Sequence, residues 1–521
     1  MSLNLIDWII FIAYFVLLAG TGWYFSRRKV SNTKEYFLGG NNMSIWLVAI
    51  SVLATSQSAA TFLGGPDQGY RANLTYLATN LGTILAAVFV AKFMIPRFYE
   101  LKVTTVYELL QVRFGSETKM RAGAMYLFGR VFASGARLYM AAIAVSMVIF
   151  QNIAADNVII SVLILTLAGL LYSLVGGIRS VIYSDAIQCA VYVSAAVAVI
   201  YYLTSSISGD YSQVMQALNN PGEGDISKLT LFDFRLNFGA EGTFSVWASI
   251  SGFLLLSIAA FGMDQDMTQR VLTCRSAKES AKAMLLSMVF ALPVVLLFML
   301  IGLLLYLFYQ HPELMSANQV GEVVQTFEGE KITIFMYYVL NEMPSGLRGL
   351  VTVGIVAAAL STLNSGLNSM SSVMVEDFYR ARLAGQEQIR SDAHFVRAGR
   401  IGMAIAACAL GGMAILSYFW QQYSDMPLLS FALSVMVFSY SGLLGVFFNA
   451  LFTQRGNATS ALLALVVGFL ATLFFQPYIQ DILGLSIDLA FPYQLCVGAS
   501  LAFVVCFLGK PAVNNHPTEA V

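Results

Sequence analysis

Residues 354–372 read GIVAAALSTLNSGLNSMSS, and the reading of that stretch decides the reading of the whole chain. It lies inside an apolar segment, yet it carries one hydroxyl after another and no charged side chain. At the helical repeat, Ala358, Ser361 and Thr362 fall at i, i+3 and i+4 and share one face. Ser361, Asn364 and Ser365 repeat that spacing one turn on. Side-chain and backbone oxygens of this kind are hard ligands, suited to a small hard cation such as Na⁺. Small and hydroxyl residues also let transmembrane helices pack closely, so within this stretch both readings stand.

The 521-residue chain is 58% hydrophobic and 11% charged, with mean hydropathy +0.72. Soluble domains carry roughly 25% charged residues. The composition is that of an all-α polytopic membrane protein. A formal net charge of zero gives no nucleic-acid footprint. Cys189, Cys274, Cys408, Cys496 and Cys506 lie in or beside apolar segments without a CxxC and read as packing residues. No basic leader or small-residue cleavage site precedes the first apolar segment, so a removed signal peptide is not expected. His311, His394 and His516 fall in loops or the tail, which excludes a histidine proton relay in the membrane. No metal-spacing cluster, Gly-rich phosphate loop or nucleophile triad occurs, so an enzyme is not expected.

Apolar segments of spanning length read at 6–26, 43–65, 74–97, 120–150, 157–175, 181–206, 244–269, 281–309, 347–375, 397–420, 426–452, 458–476 and 489–509. Charge tests the count. With the N-terminus outside and the C-terminus cytoplasmic, 22 of the 29 basic residues flank cytoplasmic loops. Arg71, Lys228, Arg235, Lys331 and Arg348 lie outside, and Arg130 and Arg137 lie within the membrane. That bias is the positive-inside rule, and a missed span would scramble it. The expected location is the cell membrane, as a multi-pass protein.

Leaving off the first span, the next ten form two groups of five. The expected organisation is an N-terminal extra helix and cytoplasmic loop (1–41), a first five-helix repeat (42–206), an extracellular loop (207–243), a second five-helix repeat (244–452) and C-terminal extra helices with a tail (453–521). Five is odd, so the repeats are inverted. Each opens on an interrupted helix. In the first, TSQS (Thr55 to Ser58) and then Gly64-Gly65-Pro66 break the apolar run; in the second, Ser257, Gly262 and Asp264-Gln265-Asp266 do so. Interrupted helices at matching positions of inverted halves point to a transporter's midplane site, although ordinary Gly/Pro kinks give the same pattern.

An unwound backbone at 54–57 exposes carbonyl oxygens that protein, water or a cation must satisfy. Two such carbonyls, that of Ala358, and the hydroxyls of Ser361 and Thr362 together suit Na⁺ better than a proton. Asp185, about one turn inside its helix, either pairs with a cation, reaches cytoplasmic water or pairs with Arg179; an unpartnered carboxylate at the bilayer centre costs about 2.5–3.5 kcal/mol. Arg130 sits roughly 15 Å inside its helix, with Arg137 seven residues on and few acidic groups at that depth. An anionic substrate would supply its counter-charge with bidentate geometry; backbone carbonyls and buried polar groups are the alternative. Asp264, Asp266 and Arg270 read as solvated or gate-forming charges near a cytoplasmic helix end.

SVLATSQSAATFLGG, GGIRSVIYSDAIQ, DQDMTQRVL and AAALSTLNSGLNSMSS, in this order and spacing, resemble the sodium:solute symporter family over about residues 5 to 475. The family includes bacterial sodium–galactose, proline and sialic acid symporters. The resemblance implies a LeuT-type fold, a 5+5 inverted repeat with extra helices at the ends, and Na⁺-coupled symport by alternating access. It places the main Na⁺ site on Ala54, Gln57, Ala358, Ser361 and Thr362. A second would fall on Asp185, Ser361, Asn364 and Ser365, where Asn364 replaces a serine. Ala60 and Thr61 stand where the galactose pattern has Glu and Gln. The sialic acid pattern resembles Ser56, Ser58, Thr61 and Asn80 as polar contacts, with Arg130 holding the carboxylate. The expectation is a small polar organic anion such as sialic acid, with a neutral hexose as the alternative. The expected partners are that small-molecule substrate, sodium ions and the lipid bilayer, with the chain acting as a monomer. A membrane sensor using a symporter-like module is the reading from a different class, and only about a dozen residues after the last span are open to an output domain.

Overall fold

The computed structural model describes residues 4–27, 32–222, 226–316, 326–327, 330–331, 333–386, 390–421 and 428–511. His516, and Arg28 and Lys29 of the basic residues counted as cytoplasmic, lie outside them. Ten helices are long and apolar enough to cross a membrane, and there are up to 13 spans if each of three sharply bent helix pairs counts as one. Every expected span has a helix at its place.

The first is α1 (Leu5–Ser26), and the expected first repeat opens on α2 (Ile45–Ser56) and α3 (Ala59–Arg71). It continues through α4 (Thr79–Phe89), α5 (Ser116–Phe150) and α6 (Ala155–Ser205). The second opens on α7 (Leu254–Gly262) and α8 (Gln265–Val271), followed by α9 (Ala277–Gln310), α10 (Leu347–Val373), α11 (Asp392–Gln421) and α12 (Leu428–Phe452). The last two spans are α13 (Ala458–Phe474) and α14 (Phe491–Leu508). The α6 helix is two spans joined at Gly177, whose φ of +60° a side chain rarely adopts; a Cβ there would also lie 2.5 Å from the Tyr36 carbonyl oxygen.

Burial sorts the helices. The apolar stretch of the span beginning with α10 is 94% buried, against 17% for α1, which turns Leu5, Ile9, Ile12 and Val16 outward. So the hydroxyl-rich helix is the hub, and α1 is a lipid-facing strut. The hub packs against α2, α5, α6 and α11. Its hydroxyls also bond within the helix: Thr362 donates to the Ala358 carbonyl (3.2 Å), and Ser369, which accepts from the Tyr126 hydroxyl (2.8 Å), donates to that of Gly366 (3.0 Å).

One expected interruption is absent. The helix runs unbroken through Gly64-Gly65-Pro66 as part of α3. Pro66 sits in the interior, where tertiary packing overrides its penalty. The small residues instead let α3 approach α9: a Cβ on Gly302 would lie 2.2 Å from the Pro66 oxygen and 2.8 Å from Gly69 Cα.

Candidate functional site

The first break falls at Gln57 and Ser58, both in extended conformation (φ/ψ −88/113 and −112/175). Local chemistry explains it. Thr55 donates back to the Ser51 carbonyl (2.8 Å) and Ser56 to that of Leu53 (2.7 Å), so the last turn of α2 closes on its own side chains. The backbone ladder ends with Gln57 N–H on Leu53 and resumes with Thr61 and Phe62 N–H on Ser58. The carbonyls of Ala54 to Gln57 lie between those two rungs. Gln57 Oε1 is buried without a hydrogen-bond partner.

Asp185 ties this break to the hub. It is fully buried on α6 and accepts from Ser51 on α2 and from Ser361 on α10 (2.7 Å). Past the break, Ser58 and Ala59 share with Thr362 and Leu363 of the hub a void of about 10 Å³, room for about one water. Ser134, with a hydroxyl lacking a partner, and Arg137 also line it. Of the expected main-site residues, Thr362 lines this void, Ser361 bonds Asp185, and Ala54 and Ala358 line neither the void nor the cavity described below.

The second break lies at Met263 and Asp264, where the helices before and after bend by 59°. Asp264 caps α8: its Oδ1 accepts from Asp266 N–H (2.9 Å), which leaves Oδ2 for other donors. Tyr440 and Arg130 Nη1 (3.1 Å) take that oxygen. Arg130 Nη2 donates to Asp266, which also accepts from Arg270 Nη1 (2.8 Å) and Ser365 (3.1 Å). Arg270 completes the chain on Asp185 (3.2 Å) and Ser51 (2.9 Å).

Three expectations are corrected here. Asp264, Asp266 and Arg270 are not solvated charges at a helix end; they are 2%, 0% and 0% exposed. The bend carries the start of α8 into the bundle, which a straight-helix reading does not foresee. Arg130 consequently has two acidic partners at its own depth. Asp185 meets neither cytoplasmic water nor Arg179; its cation is Arg270.

A cavity of about 140 Å³ opens beside this chain. Of the expected substrate contacts, Ser56, Asn80 and Arg130 line it, as does Gln57. Ser58 lies in the small void, and Thr61 lines neither. Asn80 spends its amide on the Leu77 carbonyl (3.0 Å). Sequence reasoning missed Asp264, Ser257 and Tyr440 as cavity walls. It noted Arg137 only as Arg130's neighbour, yet Arg137 lines both spaces and, among the described residues, pairs with no carboxylate. Its Nη2 lies 3.0 Å from Met436 Sδ.

The sodium:solute symporter family model matches residues 36–468. The chain belongs to that family. Among symporters, it is 27% identical over 471 residues to the sodium/sialic acid symporter of Proteus mirabilis, covering 90% of this chain and 89% of the relative. It is 25% identical over 494 residues to the sodium/glucose cotransporter of Vibrio parahaemolyticus, covering 91% and 86%. Its fold matches the outward-open, substrate-bound structure of a Na⁺-coupled sialic acid symporter with a TM-score of 0.79 at 24% identity, over 98% and 99% of the two chains. A nucleobase-cation-symport-1 transporter matches at 0.54 and 12%, over 92% and 94%. The architecture is the LeuT-type fold, and its two broken helices are the ones at Gln57–Ser58 and Met263–Asp264.

Within this symporter the second expected ion set is divided. Asp185 and Ser361 touch. Ser365 turns to Asp266, and the Asn364 amide oxygen accepts from Ser173 (3.2 Å).

Proposed function

We propose that the protein imports a small organic carboxylate together with Na⁺. The main ion site is made of the Ala54, Gln57 and Ala358 carbonyls and the Ser361 and Thr362 hydroxyls. One observation carries the reading: Asp185 holds Ser51 of the broken helix and Ser361 of the hub at the same carboxylate. A cation entering the seam between those helices meets the Asp185, Ser51 and Ser361 oxygens, with Arg270 as its competitor for Asp185 and Ser51. Asp185 with Ser361 offers a second ion position, which Asn364 and Ser365 would join after turning from Ser173 and Asp266.

Arg130, with Arg137 beside it, takes the substrate carboxylate in the cavity. Sialic acid is the first candidate, since two of the relatives carry that name. The cavity size favours a second reading. About 140 Å³ is well below the roughly 300 Å³ at which pockets for larger ligands begin. A smaller monocarboxylate fits the conformation seen, and sialic acid requires it to open further. Na⁺ binding closes the seam between α2 and α10, the bundle rocks, and the cavity opens inward. The protein works as a monomer, with its N-terminus outside and its C-terminus cytoplasmic.

The test is uptake into proteoliposomes under an imposed Na⁺ gradient, with K⁺ as control. N-acetylneuraminate, lactate and galactose are compared. Na⁺-dependent accumulation of a carboxylate supports the proposal. Accumulation of galactose alone overturns the anion reading, and equal uptake in K⁺ overturns the coupling.

A further inference from the structure

Five charged side chains form one unbroken buried line from the ion seam to the substrate cavity. In order they are Asp185, Arg270, Asp266, Arg130 and Asp264, each within contact of the next. The ends differ in role. Asp185 binds Ser361, with which it offers the second ion position proposed above, and Ser51. Arg130 and Asp264 line the cavity. Asp266 is the middle member and touches neither space; it is fully buried and does not line the cavity. Its Oδ2 receives Arg130 and Ser365, and its Oδ1 receives Arg270.

Charge balance gives the line a direction. With Arg137, the group holds three aspartates and three arginines and is neutral. Na⁺ alone adds a positive charge to a low-dielectric interior, and a carboxylate alone adds a negative one. Each is disfavoured without the other. Contact geometry carries the effect across. A Na⁺ on the Asp185 oxygens competes with Arg270 for them. Arg270 then depends on Asp266, its one other carboxylate. Asp266 in turn has less to offer Arg130, whose guanidinium becomes available to an incoming carboxylate. The fork that is engaged by two aspartates in this conformation is thereby released by the ion.

We infer that Asp266 is the positioning residue through which Na⁺ occupancy at Asp185 raises carboxylate affinity at Arg130. The inference rests on the symport reading above. By linkage, the carboxylate must tighten Na⁺ by the same factor.

The experiment measures the carboxylate Kd of the full chain in lipid nanodiscs, in Na⁺ and in K⁺, for N-acetylneuraminate and for lactate. The ratio of the two constants is the coupling factor. Wild type, Asp266→Asn and Asp266→Glu are compared. A factor of about ten or more is expected in wild type. Asp266→Asn should bind the carboxylate in K⁺ at least as well as wild type, because Arg130 is already loosened, with the factor reduced to about two or less. Asp266→Glu keeps the charge facing both arginines and is expected to show an intermediate factor, with a thermal melt beside it to show that it is folded. A merely structural role would lower the melting temperature or both affinities together and leave the ratio unchanged. If Asp266→Asn fails to fold, Asp266→Glu decides alone. A wild-type factor in every folded variant overturns the role of Asp266. A wild-type protein that binds carboxylates equally in Na⁺ and K⁺ overturns the symport reading, and this inference with it.

Discussion

Replacing Arg130 with lysine separates its charge from its shape. The guanidinium presents Nη1 to Asp264 at 3.1 Å and Nη2 to Asp266, with its side chain only 2% exposed. Lysine keeps the positive charge between the two carboxylates, so the about 3–5 kcal/mol expected from leaving buried ions unpaired, as in Arg130→Gln, is largely avoided. It cannot keep the fork, because a single ammonium offers donors from one point. Each hydrogen bond to a charged group contributes about 1.5–3 kcal/mol. Losing one fork contact with a substrate carboxylate therefore weakens binding roughly 10- to 150-fold, at about 1.4 kcal/mol per decade. The assay is calorimetry on nanodisc-held protein with the carboxylate that wild type accumulates, beside a thermal melt. The expected result is a melting temperature near wild type and a large rise in Kd. An unchanged Kd would refute the assignment of Arg130 to the carboxylate.

Three further outcomes follow from the same geometry. Gly302→Ala places a methyl 2.2 Å from the Pro66 oxygen; such overpacking costs about 1–3 kcal/mol, read as a lower melting temperature, and an unchanged melt would mean α3 and α9 are not held as described. Gln57→Ala removes a buried amide oxygen that has no partner and can accept from a substrate hydroxyl, but leaves the backbone carbonyl; affinity for a hydroxyl-bearing carboxylate should fall about 5- to 30-fold, the equivalent of about 1–2 kcal/mol, with Na⁺ affinity nearly constant, and a large loss of Na⁺ affinity would show that the side chain is the ligand. Voltage counts the ions: one Na⁺ with a monoanion moves no net charge, whereas two Na⁺ move one, worth about 2.3 kcal/mol per 100 mV. Use of the Asp185 position predicts uptake that rises with an inside-negative potential, and potential-independent uptake would confine Na⁺ to the main site.

What was legible in the sequence was mostly periodic. The spans, the hydroxyl face of α10 and the break at Thr55 to Ser58 follow from composition and helical spacing, because side-chain competition for backbone bonds is local. Gly64-Gly65-Pro66 misled for the opposite reason. Glycine and proline weaken an isolated helix, but here the absence of side-chain bulk is what allows α3 to lie against α9. The charge chain was illegible because it is a product of the bend. Asp264, Asp266 and Arg270 sit in a polar run that reads as a helix end, and only the 59° turn brings them inward to Arg130, more than a hundred residues away in sequence. The type of each residue was informative, and its depth was not. The cavity role of Tyr440 carried no sequence signal, since a tyrosine in an apolar span is usually packing.

The most direct measurement is equilibrium binding of radioactive sodium to purified protein, wild type against Ser361→Ala, Thr362→Ala and the double variant. The account expects saturable binding in wild type, at least tenfold weaker binding in each single variant, and none detectable in the double variant while its melting temperature shows it folded. A folded double variant that binds sodium as wild type does would contradict the claim that the uncoiled turn and the hub helix hold the ion between them.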